Sequence, residues 1–175
     1  MIAGIGKVNQ IGYVVRDINK ALDFWVNVLG VGPWYVRHPV VEHYVYRGVP
    51  GELNSTIALA NSGDMQIELI QDDSDGPTFY KEFLSTGREG IHHVSFWQEE
   101  EQFDSTAQRL VQAGFYLVHS GDIGGQSGRF AYYIHDAQPG IVIEISSVSG
   151  AKGERFQRIA QAAKQWDGSD PIRHQ

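Results

Sequence analysis

Along Lys7 to Val15, Ile11, Tyr13 and Val15 share one parity, and Val8, Gln10, Gly12 and Val14 share the other. This is the period of a β-strand whose two faces meet different surroundings. The period then lengthens. Ile18, Ala21, Leu22, Trp25 and Leu29 recur at helical spacing, with Asp17 placed to cap the start and Gly30 to close the end. Strand-like runs return at Trp34 to Pro39, Ser55 to Ala60 and Met65 to Gln71, the last two separated by the turn residues Asn61-Ser62-Gly63-Asp64. The first half therefore predicts the order βαβββ.

The second half repeats the plan. After Asp72-Asp73-Ser74-Asp75-Gly76-Pro77 and a short helical stretch at Phe79 to Leu84, a strand is expected at Ile91 to Trp97 and a helix at Phe103 to Ala113, closed by Gly114. Strands follow at Phe115 to Ser120, Arg129 to His135 and Ile141 to Ser146. The predicted fold is α+β: two tandem βαβββ modules, about residues 7–71 and 91–147, forming one domain over 1–150 whose curved sheets share a cavity. Residues 151–175 are expected to add a helix over Glu154 to Trp166, with Phe156, Ile159, Ala160 and Ala163 on one face as packing or dimer surface, and then a frayed polar tail.

Composition narrows the partners. The chain has 175 residues, 42% hydrophobic and 20% charged, enough for a well-buried globular domain. A net charge of −7 gives no global attraction to nucleic acid or anionic membrane, so any anionic ligand must be held by local groups. The absence of cysteine excludes disulfides, thiolate metal sites and a cysteine nucleophile. No apolar run reaches the ~18 residues of a membrane span, and the first residues lack a secretory pattern, so a cytoplasmic location is expected.

Polar residues recur at matching places in the two modules. Gln10 shares a face with Gly12 and Val14. Glu68 and Gln66 lie opposite Met65, Ile67 and Leu69, and Glu144 lies opposite Ile141, Ile143 and Ile145. In GIHHVSFW, neighbouring strand residues point to opposite faces, so His92 and His93 are expected not to share a site. His93 is assigned to the polar face and His92 to a structural role. The offsets between modules are 83 residues from Gln10 to His93 and 76 from Glu68 to Glu144. Gln10, Glu68, His93 and Glu144 would converge in a shared cavity as a hard oxygen-and-nitrogen donor set, suited to a divalent ion with open positions.

The strings VNQIGYVVRDINKALDFWVNVLGVGPW, MQIELI, GIHHVSFW and PGIVIEI resemble the strand motifs of the vicinal oxygen chelate superfamily. That superfamily includes glyoxalase I, methylmalonyl-CoA epimerase, extradiol dioxygenases and bleomycin-resistance proteins. The resemblance covers about Val8 to Ser146 and implies one metal ligand on each module's first and last strand: Gln10, Glu68, His93 and Glu144. It further implies one divalent ion (Ni, Co, Mn, Fe or Zn) and a substrate with adjacent oxygens. The order Gln, Glu, His, Glu is similar to one branch of glyoxalase I. The epimerase pattern usually has His at position 10 and Gln at position 68, and Gln10 departs from the two-histidine set of extradiol dioxygenases.

The function expected is a metal-dependent lyase or isomerase of glyoxalase type, transferring a proton next to a carbonyl through a metal-chelated enediolate, with Glu144 or Glu68 as base. The alternative is a metal-free small-molecule binding protein of bleomycin-resistance type. Acyl-CoA epimerisation is a further possibility, and extradiol dioxygenation a less favoured one. A homodimer is expected, with the cavity formed either within one chain or across the dimer. Trp34, Tyr44, Trp97 and Tyr132 are candidate apolar walls. The segment Arg37 to Arg47, with His38, His43, Tyr44 and Tyr46, reads equally as a pocket mouth or a solvated loop, and this segment and Arg129 are candidate contacts for an anionic tail. Gly121 to Gly128 has no helix start after it, so a lid or hairpin loop is expected rather than a phosphate cradle.

Overall fold

The computed structural model describes residues 4–175. The first module contains β1 (Gln10–Val14), α1 (Ile18–Asn27), β2 (Trp34–Arg37), β3 (Glu42–Tyr46), β4 (Val49–Pro50), β5 (Ser55–Ser62) and β6 (Met65–Asp72). Helix α2 (Phe79–Ser85) connects it to β7 (Gly90–Gln98), α3 (Glu100–Gln112), β8 (Tyr116–Asp122), β9 (Arg129–Ile134) and β10 (Ile143–Ser147). Helix α4 (Gly150–Lys164) and β11 (Ile172–His174) complete the chain. Local chemistry sets the boundaries. The Asp17 carboxylate accepts from the Lys20 backbone N–H at 3.1 Å at the start of α1, and the Thr78 hydroxyl accepts from Lys81 N–H at 3.0 Å at the start of α2.

The strands form a single curved, unclosed sheet in the order β11-β2-β5-β6-β1-β7-β10-β9-β8-β3-β4. Each module places its first and last strands side by side and parallel, β1 with β6 and β7 with β10. Antiparallel pairing of β1 with β7 joins the modules. Four strand ends are thereby brought to the centre of one sheet. On the convex side, Ile18 and Leu22 of α1 pack on Val15, Trp34, Ile67 and Leu69, while Phe103 and Leu110 of α3 pack on Tyr133 and Ile145. On the concave side, Phe79 and Tyr80 of α2 cover Val14, Ile70 and Tyr132 at one end. Phe156 and Ile159 of α4 cover Ile57 and Leu59 at the other. No helix among the described residues is long and apolar enough to cross a membrane.

Two readings are corrected. Glu42 to Tyr46 is neither a solvated loop nor a simple pocket mouth: as β3 it leaves its own module and pairs antiparallel with β8 of the other. The physical reason is the open edge of β8, whose unpaired backbone groups need a partner. The polar tail does not fray along its length either. Ile172–His174 pairs in parallel with β2, and the Arg173 guanidinium donates to Tyr35 Oη at 2.9 Å. A hydrophobic-pattern reading cannot detect three residues whose order comes from backbone hydrogen bonds to an edge strand.

Candidate functional site

The strand register assembles the site. Gly12 is the Cα partner of Glu68 on one side and of His93 on the other, so these three residues form a row across β6, β1 and β7. Glu144 pairs with Ser95, two residues along β7 from His93. Because Gly12 has no side chain, the His93 imidazole lies over its Cα, in the volume that a Cβ would occupy. From there its Nε2 is 3.5 Å from Glu68 Oε2 and 3.4 Å from Glu144 Oε2. His93 is 1% exposed and Glu144 5%, whereas the Glu68 side chain retains 13% and faces the cavity.

Gln10 is buried in the wall of the same cavity, where its amide nitrogen donates to Gln66 Oε1 at 2.8 Å. That bond commits the nitrogen and leaves the amide oxygen as the group Gln10 has to offer as a ligand. Glu68, His93 and Glu144 meet within one chain, so a second copy is not needed to bring the three together.

The expectation that His92 and His93 point apart is overturned. The β1–β7 register steps from Gly12↔His93 to Tyr13↔Ile91, leaving His92 as the extra residue of a β-bulge. A bulge breaks the two-residue alternation and re-aims side chains. His92 Nδ1 lies 3.1 Å from His93 Nδ1, and its ring is packed among Phe79, Tyr80 and Phe83. Burial, and then repulsion from His93, holds the His92 imidazole well below its ordinary pKa. Neutral His92 can therefore accept a hydrogen bond from His93 Nδ1–H, which orients the ring with Nε2 toward the carboxylates.

Burial pushes the His93 imidazolium toward losing its proton, but the Glu144 and Glu68 carboxylates outweigh this and raise its pKa to about 9. Burial likewise opposes ionisation of Glu144, yet His93 and Lys152 together hold its carboxyl below the usual range. A pKa raised on folding makes protonated His93 a stabilising group below its unfolded value of about 6.5, and that contribution is lost as pH rises through about 9. EDTA-treated protein is thus expected to show a falling unfolding midpoint between those pH values, and His93→Asn a flatter profile. Equal slopes for the two proteins in thermal melts would refute this.

The cavity opens to solvent and is lined by Gln10, Glu68 and Glu144 together with Leu59, Tyr80 and Tyr132. Of the expected aromatic walls, Tyr132 borders the cavity, Tyr44 is in the concave core, Trp34 is buried under α1, and Trp97 packs at a tilt against Phe156, with ring centroids 4.9 Å apart. Of residues 121–128, Gly121 and Asp122 end β8 and the rest form the β8–β9 connection, from which Ile123 reaches the cavity. Arg47 and Arg129 are committed elsewhere, each 2.7 Å from a carboxylate, Glu82 and Asp104 respectively.

Lys152, Arg155 and Phe156 of α4 were not anticipated in the site, although all three line it. A signal was present in the sequence. Lys152 stands four residues before Phe156, so it falls on the helix's apolar stripe rather than its polar face.

The sequence profile described as "Glyoxalase/Bleomycin resistance protein/Dioxygenase superfamily" matches residues 9–133. No curated protein matches the sequence. Among solved structures, a hypothetical protein from Bacillus halodurans C-125 aligns with a TM-score of 0.57 at 21% identity, covering 80% of this chain and 92% of its own. Methylmalonyl-CoA epimerase from Mycobacterium tuberculosis aligns at 0.54 and 17% identity, over 79% and 85% of the two chains. The Streptomyces coelicolor epimerase in complex with 2-nitronate-propionyl-CoA aligns at 0.53 and 15%, over 82% and 94%. These structures share the fold, and with the family match over most of its length the chain belongs to the glyoxalase/bleomycin resistance/dioxygenase superfamily, the vicinal oxygen chelate proteins.

Proposed function

We propose that the protein is a metal-dependent lyase or isomerase of glyoxalase type, which moves a proton next to a substrate carbonyl. The observation that carries this reading is a pair of buried atoms. His93 Nε2 and Glu144 Oε2 have no hydrogen-bond partner among the described residues, and with a Glu68 oxygen they form a donor set within 4.8 Å of one another. Unsatisfied buried polar atoms are costly, and a divalent ion would satisfy them together. Glu68, His93 and Glu144 would hold such an ion, with the Gln10 amide oxygen as a fourth donor. Ni, Co, Mn, Fe and Zn all suit this set.

A bound divalent ion supplies Lewis acidity toward two adjacent oxygens of the substrate. We assign Glu68 as the base, since both carboxylates line the cavity and Glu68 is the more exposed of the two. Glu144, deeper and held ionised by His93 and Lys152, has the character of a permanent ligand. Tyr80, Tyr132 and Leu59 keep water from the reacting carbon. Thiol-adduct isomerisation and acyl-CoA epimerisation both belong to this proton-transfer class. The presence of Gln10 disfavours dioxygenation. We also infer a cytoplasmic homodimer.

One observation favours a second reading, a metal-free binding protein. A protonated His93 between Glu68 and Glu144 itself compensates the carboxylates. Metal analysis separates the two. Protein purified without a metal-binding tag is expected to carry about one divalent ion per chain, and Glu144→Ala to lose it. Wild-type protein that neither carries nor takes up any of the five ions would leave the binding reading in place.

A further inference from the structure

Three cations line the cavity without carboxylate partners. Arg37 comes from β2, and Lys152 and Arg155 from α4; all three are partly buried, and none forms an ion pair among the described residues. The Lys152 ammonium donates to Ser146 Oγ at 2.6 Å and lies 3.4 Å from Gly128 O. Ser146 is two residues beyond Glu144 on β10, so this hydrogen bond sets the ammonium roughly one strand repeat, about 7 Å, along the sheet from the Glu144 position.

Lys152 is also poorly placed for helix stability. It lies in the first turn of α4, which contains no acidic residue, at the end where the helix dipole is positive. Burial, followed by repulsion from Arg155, holds the Arg37 guanidinium below its ordinary value. Three cations crowded around one concavity, each lacking a counter-charge in contact, constitute a recognition site for an anion. The same cavity is also lined by the apolar side chains of Ile57, Leu59 and Phe156, besides Ser55 and Ser146.

We infer that the cavity takes an amphipathic acid, whose anionic oxygen group is held by Lys152, Arg155 and Arg37, whose carbon body lies on Ile57, Leu59 and Phe156, and whose other end reaches Glu68 and Glu144. This deepens the proposed function, since the far end is where proton transfer is placed, but the anion pocket does not depend on the metal. The C-terminal helix thereby becomes a specificity element. The competing explanation is that the cations only balance Glu68 and Glu144 at longer range.

The test uses three matched probes on EDTA-treated full-length protein by titration calorimetry: phenylacetate, phenyl phosphate and the neutral phenylacetamide. At least one anion is expected to bind about tenfold or more tightly than the amide, as a charge-assisted contact requires. Its identity distinguishes a carboxylate pocket from a phosphate pocket. Lys152→Gln and Arg155→Gln are each expected to weaken that anion about tenfold, with Lys152→Arg and Arg155→Lys recovering much of the loss. Arg158→Gln, on the exposed side of the same helix, is expected to change nothing. Equal binding of amide and anions, or anion binding insensitive to Lys152 and Arg155 in variants with wild-type melting, would overturn the inference. Loss of metal binding with anion binding retained would defeat only the metal reading.

Discussion

Gly12→Ala is expected to weaken metal binding at the proposed centre and destabilise the protein together. A Cβ on residue 12 would overlap the His93 imidazole, a side chain that is fully buried. It packs against Tyr132, with centroids 4.6 Å apart, and is tied through Nδ1 to His92. Moving it withdraws Nε2 from Glu68 and Glu144. Overpacking of this kind costs about 1–3 kcal/mol, and a displaced ligand should lower metal affinity by 10-fold or more, on the order of what lost ligand support costs. Thermal melts and metal content check both effects. A double-mutant cycle assigns the cause: in a His93→Ala background, Gly12→Ala should cost much less, because the ring it collides with is gone. A Gly12→Ala protein that melts and loads metal like the wild type would remove the basis for placing His93 at the centre.

Glu68→Gln is expected to be the most damaging change for turnover at nearly constant structure. The substitution keeps size and one acceptor oxygen but removes the negative charge and the proton-accepting lone pair. General-base contributions are about 10²–10⁴-fold, and a fall in kcat of that order is expected. Metal content should remain substantial, because His93, Glu144 and the Gln10 amide oxygen are retained. The direct readout is exchange of the substrate α-proton for solvent deuterium, followed by NMR with candidate thiol adducts and acyl-CoA thioesters. Glu144→Gln is the necessary comparison. It should lose metal before it loses proton exchange in metal-saturated protein. The reverse ranking, with exchange surviving in Glu68→Gln and failing in metal-loaded Glu144→Gln, would exchange the two roles.

Much of the fold was legible because it rests on local periodicity. Ile11, Tyr13 and Val15 alternate as a strand with a helix-facing side must, and they do pack with α1. The same alternation separated Glu68 from Ile67 and Leu69, and Glu144 from Ile143 and Ile145, which placed both carboxylates on the concave face. The duplicated module was readable for the same reason: both halves bury similar faces and repeat the same pattern. Long-range pairing was not readable. The transfer of β3 to the edge of β8 and the docking of Ile172–His174 on β2 are backbone events with little side-chain signature.

The sequence by itself determined the two βαβββ modules, the parity of Gln10, Glu68, His93 and Glu144, and the family resemblance, because each follows from a repeat of two or about 3.6 residues or from a contiguous motif. Only the tertiary structure decided the rest. The antiparallel pairing of β1 with β7 set Gly12 opposite His93, and the bulge beside it turned His92 from a distant neighbour into the partner of His93 Nδ1. The packing of α4 over β5 carried Lys152 and Arg155 to a cavity that their position in the chain does not suggest. Alternation is a property of one strand, whereas a register shift or a helix laid across a concave sheet depends on which surfaces meet.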